Sequence, residues 1–442
     1  MIGARDAAGA GVAARGLVVG AVVVLSCCDV ACTRDHADPV ATDPPQARSI
    51  ASNQSAVAST TDNGKSTALR PVSAVPGNRP ATRGAAEQSL GWLQAQVRLP
   101  AADPENPWAL AHGLLAFGKD FQTRDGRSAV LVAAAFAEAQ LPRGTGSRHY
   151  GFPVERAGKP VEPHPYLLIK TFLEIGVDPG FRMRASDGTR IDLQRLTDDM
   201  RVSVHEPTSD AEWHQAAWWL AALELYRARS RPHAARPDPQ LVRLRDAALA
   251  RLEADDAVIA APATPDAFSA GAPMGAAKRN KSHIYGHPCG GLHFMQAVLR
   301  AAADAGSPDY TARTVGQLRL LVTRTQLERV LYAEMLRAHL DATLLISGQQ
   351  LKFFGHVLET FALADQLGLL RTDVDLARSV NEARRETTAD LLGVVERLKE
   401  LRAYERLTEL AGKQSQLVLD LIGDGCHAVH GLRGTLDVLP TP

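Results

Sequence analysis

From Ala85 onward the hydrophobic positions recur with the 3.6-residue period of a helix, and alternating β-branched runs that would mark strands are nearly absent. In 323–342 the residues Leu327, Val330, Leu331, Met335 and Ala338 form one stripe. In 349–367 Leu351, Phe354, Leu358 and Phe361 step by 3, 4 and 3, so the two segments predict a helical hairpin. Further helices are predicted near 86–99, 107–118, 127–139, 163–176, 239–254, 289–304, 373–400 and 402–422. Ser209-x-x-Glu212 has the capping-box pattern, and the segment it opens, AEWHQAAWWLAALELYRA, is apolar on most faces, as a buried helix is. The expectation is an all-α domain over 86–442. Its helical hairpins are expected to form an α/α-toroid-like array rather than a solenoid, because no repeat of fixed period is visible. One connection, 255–286, reads as a long loop, of the kind that serves as a lid or binding loop or is a disordered insert.

The first 85 residues follow another pattern. Arg5 and Arg15 precede an apolar run, Leu17 to Leu25, that is shorter than the ~20 residues a spanning helix needs. It ends in Val24-Leu25-Ser26-Cys27, which resembles a bacterial lipobox. The resemblance implies a signal peptide over 1–26 and lipidation of Cys27, hence a protein of the cell envelope anchored to a membrane by its N-terminal lipid. The alternative is an uncleaved N-terminal anchor. Between Asp29 and Gly91 there is no Phe, Trp or Tyr, while Ala, Ser, Thr and Pro recur, so 27–85 is expected to be a lipidated N-terminus and disordered linker.

Charge narrows the function classes. The 442 residues carry 49 Lys+Arg and 49 Asp+Glu, a formal net charge of zero, which argues against a nucleic-acid partner. The basic run Lys278 to Lys281 is too short to change this and is read as a solvated loop. With 45% hydrophobic and 22% charged residues the chain is otherwise an ordinary globular one, long enough for a sizeable core.

Candidate chemistry gathers around two cysteines. In Gly286-His287-Pro288-Cys289-Gly290-Gly291-Leu292-His293, Pro288 suits the first helical position, which would put Cys289 in the first turn and His293 one turn on along the same face. Gly425-Cys426-His427-Ala428-Val429-His430 repeats the Cys-x3-His spacing. If the segments converge, Cys289, His293, Cys426 and His427 are candidate ligands for zinc. The alternatives are a Cys289–Cys426 disulfide, two buried thiols, or a catalytic thiol.

Lys352, His356 and Glu359 step by 4 and 3 and share a helix face, so His356 and Glu359 are a candidate acid/base pair, against the plainer alternative of an ion-paired face. His112 lies on an apolar helix, as a hydrogen-bonded core histidine or an acid/base group. Trp213, Trp218 and Trp219 are either core or a sugar- or peptide-binding surface, and His205, Glu206 and Asp210 belong to a polar turn.

The series Ala111-His112-Gly113, Cys289-Gly290-Gly291 and Cys426-His427 is similar in order to motifs of lanthionine synthetase C-like proteins. That resemblance implies an α/α toroid in which Cys289, Cys426 and His427 hold zinc and His112 is an acid/base residue. Gly355-His356-x-x-Glu359 also resembles a fragment of (α/α)-barrel sugar epimerases. The functional expectation is an exported, lipid-anchored protein acting on an envelope glycan or peptide in a central cavity, with zinc as its cofactor if it has one. The alternative is a non-catalytic binding or scaffold lipoprotein with a Cys289–Cys426 bridge.

Overall fold

A computed structural model describes residues 81–140, 148–230, 239–260, 273–371 and 373–441. The signal segment, Cys27 and the linker as far as residue 80 lie outside the described residues, as does 261–272 of the expected long loop.

The domain is all-α, as its periodicity predicts. The described residues contain fourteen α-helices: α1 Arg83–Ala101, α2 Pro107–Phe117, α3 Ala129–Ala134, α4 Leu167–Glu174, α5 Leu193–Ser203, α6 Asp210–Ser230, α7 Pro239–Ala260, α8 Pro273–Arg279, α9 Leu292–Ala305, α10 Pro308–Ala338, α11 Thr343–Gln366, α12 Val374–Glu400, α13 Leu407–Ala411 and α14 Ser415–Arg433. Three short antiparallel pairs join Glu138–Gln140 to His149–Gly151, Glu155–Arg156 to Lys159–Pro160, and Arg182–Arg184 to Arg190–Asp192. None of the helices in the described residues is long and apolar enough to cross a membrane.

Helix starts are set by short polar residues that take up orphan backbone N–H groups. Thr82, Asn106, Asp192, Ser307 and Asp373 each accept from the N–H three residues on. At α6, Ser209 Oγ accepts from Glu212 N at 3.3 Å, but Glu212 reaches back to Thr208 N at 2.6 Å, one residue earlier than a capping box has it. The predicted helix over 402–422 is interrupted at 412–414 between α13 and α14. Within the expected loop at 255–286 the described residues are mostly helical: α7 runs on to Ala260, α8 follows at Pro273–Arg279, and His283–Gly286 forms a 3₁₀ turn. Lys278 is not merely solvated, since its ammonium pairs with the buried carboxylate of Glu328 on α10.

The packing order positions the site. α2 packs on α4, α4 on α6, α6 on α9, α9 on α11, α11 on α14, and α14 back on α2. Outside this cycle, α1 lies against α14, α2 and α12, while α10 covers α7, α9, α11 and α12. The α11–α14 contact is the most intimate. A Cβ at Gly431 would lie 2.7 Å from Gly355 O and 3.1 Å from Glu359 N, so the two backbones touch and the side chains beside them interdigitate.

α4 is entered through Tyr166 in the left-handed region (φ 69°), where Glu162 accepts from the N–H groups of Leu168 at 2.7 Å and Tyr166 at 3.0 Å. Burial pushes the Glu162 carboxyl up to about 8 despite these two bonds. Because the folded-state value is raised, the native state binds the extra proton, and stability present below about 4.5 is lost as pH rises from there through about 8. Glu162→Gln is expected to flatten that decline, and thermal melts of both proteins between about pH 4.5 and 8 check it. An unchanged decline in the variant would refute the assignment.

Candidate metal centre

Three chain segments bring their donors to one place. α11 presents Lys352, His356 and Glu359 along a face, and α14 presents Asp420, Asp424 and His427, with His430 one turn further on. The two stripes mesh. Lys352 Nζ is 3.0 Å from Asp420 Oδ1 and 3.6 Å from Asp424 Oδ2, His356 Nε2 is 3.5 Å from Asp424 Oδ1, and Glu359 meets the histidines. Its carboxylate accepts from Nδ1 of His427 (2.8 Å), His430 (2.9 Å) and His356 (3.2 Å).

The third segment precedes α9. The sequence predicts Cys289 inside the first helical turn, but Cys289 (φ 52°), Gly290 (φ 60°) and Gly291 (φ 77°) are all left-handed, and α9 begins only at Leu292. Such a conformation costs a non-glycine residue about 1–2 kcal/mol, so Cys289 is held there by its surroundings. Arg324 Nη1 donates to Gly290 O at 2.7 Å, and His287 Nε2 lies 2.7 Å from Asp255 Oδ2 while its ring stacks on Phe294. The turn delivers the Cys289 sulfur beside His293, which follows in the first turn of α9.

Among the described residues two groups have donor atoms within 4.8 Å of one another: Cys289, His293 and His356; and His356, Glu359 and His427. The imidazoles pack ring to ring, with centroids 3.9 Å apart for His356–His427, 4.5 Å for His293–His356 and 5.1 Å for His293–His427. His356 is 0% exposed, and its Nε2 has no hydrogen-bond partner of adequate geometry. An unsatisfied buried nitrogen of this kind calls for a ligand.

Electrostatics follow from the burial. Burial would raise the Glu359 carboxyl, but His427 and the hydrogen bonds from the imidazoles hold it well below the usual carboxylate range. Burial and the neighbouring His356 and His427 charges push His293 well down. His356 goes the other way: burial would lower it, and the Cys289 sulfur with the nearby carboxylates of Asp424 and Glu359 raises it well above the ordinary imidazole value.

Two cysteine expectations are corrected. Cys289 and Cys426 are both free, so they form no disulfide. Cys426 belongs to neither donor group. It is adjacent to His427 on α14, about 100° around the helix, so when His427 turns toward Glu359 the thiol turns away. Burial, then Asp424 and Glu359, push that thiol up, away from the thiolate a metal takes. The Cys289, Cys426 and His427 set implied by the resemblance is therefore not assembled, whereas Cys289, His293 and His427 do join one cluster with His356 and Glu359.

The remaining expected residues lie around it. His112 on α2 donates from Nδ1 to Trp108 O at 2.7 Å and sits 5.2 Å, ring to ring, from His427; burial and then His427 lower it to about 3, so it is neutral. Trp213, Trp218 and Trp219 belong to the core rather than to an open surface, although Trp218 stacks on His164 (4.0 Å) and lies 5.3 Å from His293.

Glu359 and His430 open onto a cavity of about 490 Å³, also lined by Lys170, Glu174, Gln296, Arg300, Arg384 and Arg433. His356 is not among the lining residues; it stands behind Glu359.

Comparison with known protein families, curated proteins and solved structures finds no match to this chain. The centre accordingly stands on its own geometry. His430, Asp424 and Asp420 are the members that sequence reasoning missed, and the signal was present: 420, 424 and 427 step by 4 and 3, the same spacing as 352, 356 and 359 on the facing helix.

Proposed function

We propose that this chain is a zinc-dependent hydrolase of the cell envelope, anchored through lipidated Cys27, whose cycle of packed helices is an α/α toroid enclosing the centre. The observation that carries the reading is the convergence of Cys289, His293 and His356 within ligand distance of one another, with Glu359 holding the Nδ1 of His356. One thiolate and two imidazoles suit zinc and leave a fourth position for water. A carboxylate on the far nitrogen is the usual means of fixing a ligating imidazole.

Zinc in such a site acidifies its water and polarises the bond to be broken. Proton movement falls to Glu359, ionised at the cavity floor, and to His430, which shares its carboxylate at 2.9 Å and is partly exposed to the cavity. The cavity walls offer both signs of charge, as a polar ligand such as a glycan or peptide requires. The acid/base pair expected from the sequence is thereby redistributed, with His356 as ligand and His430 beside Glu359.

The full chain purified in detergent is expected to retain zinc after exhaustive dialysis, and Cys289→Ser to retain less of it, with a 10-fold or greater fall in hydrolysis of an envelope glycan or peptide. Zinc-free protein that cannot be reconstituted, or full metal content in the variant, would contradict the reading.

A further inference from the structure

His356 belongs to both donor groups, and its two ring nitrogens face different neighbours. Nδ1 lies 3.2 Å from Glu359 Oε2, on the side where His427 and His430 also meet that carboxylate. Nε2 lies 3.5 Å from Asp424 Oδ1 and lacks a hydrogen-bond partner of adequate geometry. One ion can use only one of these nitrogens.

The charge around the cluster points the same way. Glu359 and Asp424 are buried carboxylates in contact with it, Asp420 is buried one turn away, and Cys289 adds a sulfur, while the Lys352 ammonium lies against Asp420 and Asp424. Lys170 and Arg300 are engaged with Glu174 instead. Carboxylates gathered in this way are ready donors for a divalent ion, which can take the place of the imidazole proton as their counter-charge.

We infer that the centre is binuclear, with His356 bridging two ions as an imidazolate. This rests on the zinc reading above and adds a site to it. The inner ion is held by Cys289, His293 and His356 Nε2. The outer ion takes His356 Nδ1, Glu359 and His427, with His430 at the edge of the cavity. The protons now shared between Glu359 and the imidazole Nδ1 atoms leave to solvent when this ion binds, and proton transfer to substrate passes to His430. The outer ion therefore faces the ligand, and the preferred substrate carries an oxygen anion or carbonyl that binds it directly.

The test is cobalt(II) titration of the metal-stripped full chain in detergent, read by equivalents bound and by the near-ultraviolet thiolate-to-cobalt charge-transfer band. The wild-type chain is expected to take two equivalents and show the band. Cys289→Ser should take one without the band, His427→Asn one with it, and His356→Ala neither tightly. His430→Asn removes no ligand and should still take two equivalents while hydrolysis falls at least 10-fold; the first equivalent and its band, kept in His427→Asn, guard against a folding defect there, and circular dichroism checks each variant. Saturation at one equivalent with the band present, unchanged in His427→Asn, overturns the second ion and leaves the first. Failure of the wild-type chain to bind any cobalt overturns both.

Discussion

Gly291→Ala is expected to destabilise the domain by about 2–5 kcal/mol and to abolish metal binding at Cys289. Gly291 sits at φ 77°, where a side chain is strained, and an added Cβ would overlap Ile284 Cδ1, lie 2.7 Å from its Cγ1 and 3.2 Å from its carbonyl oxygen. Ile284 is buried in the 3₁₀ turn that leads into the Cys289 segment, so relief requires the backbone itself to move. That movement takes the sulfur away from His293 and His356. Denaturant unfolding with metal analysis of the same preparation checks both effects. Wild-type stability together with a full complement of metal would show that the left-handed turn is not what holds Cys289 in place.

Arg245→Met should cost about as much by another route. Arg245 on α7 donates from Nε to Glu224 Oε1 at 2.7 Å on α6 and from Nη2 to Asp304 Oδ2 at 3.0 Å on α9, with both Arg245 and Glu224 buried. Removing the guanidinium leaves an uncompensated buried carboxylate, a loss of about 3–5 kcal/mol. Burial already raises the Glu224 carboxyl despite Arg245, so the variant's instability grows as pH rises and that group is forced to ionise. Adding Glu224→Gln should restore most of the loss, because the stranded charge rather than the missing attraction is the main cost. A double variant no more stable than Arg245→Met would refute this. The same network tethers α9, the helix that carries His293, to α6 and α7.

What the sequence made legible was whatever local periodicity encodes. Leu351, Phe354, Leu358 and Phe361 announce α11, and the spacing of Lys352, His356 and Glu359 announces its polar face. The short strand pairs between Glu138 and Asp192 escaped because two or three residues are too few to establish alternation. Cys289 and His293 do lie side by side, but three left-handed residues stand where the sequence predicts a helical turn. Cys426 lies outside both donor groups because matched Cys-x3-His spacing says which residues share a face of their own helix, and only the partner helix decides which face is used. On α14 the face is chosen by α11, whose Gly355 lets Ala428 and Gly431 approach and so aims His427 and His430 at Glu359. No local pattern contains that choice.

The account rests on an ion held jointly by sulfur and imidazole, and X-ray absorption at the zinc edge of the purified full chain examines that shell directly. The expected spectrum has one sulfur at about 2.3 Å with nitrogen or oxygen scatterers at about 2.0–2.1 Å, and the sulfur shell disappears in Cys289→Ser. A zinc environment of nitrogen and oxygen alone in the wild-type chain, or one unaltered by that substitution, would contradict it.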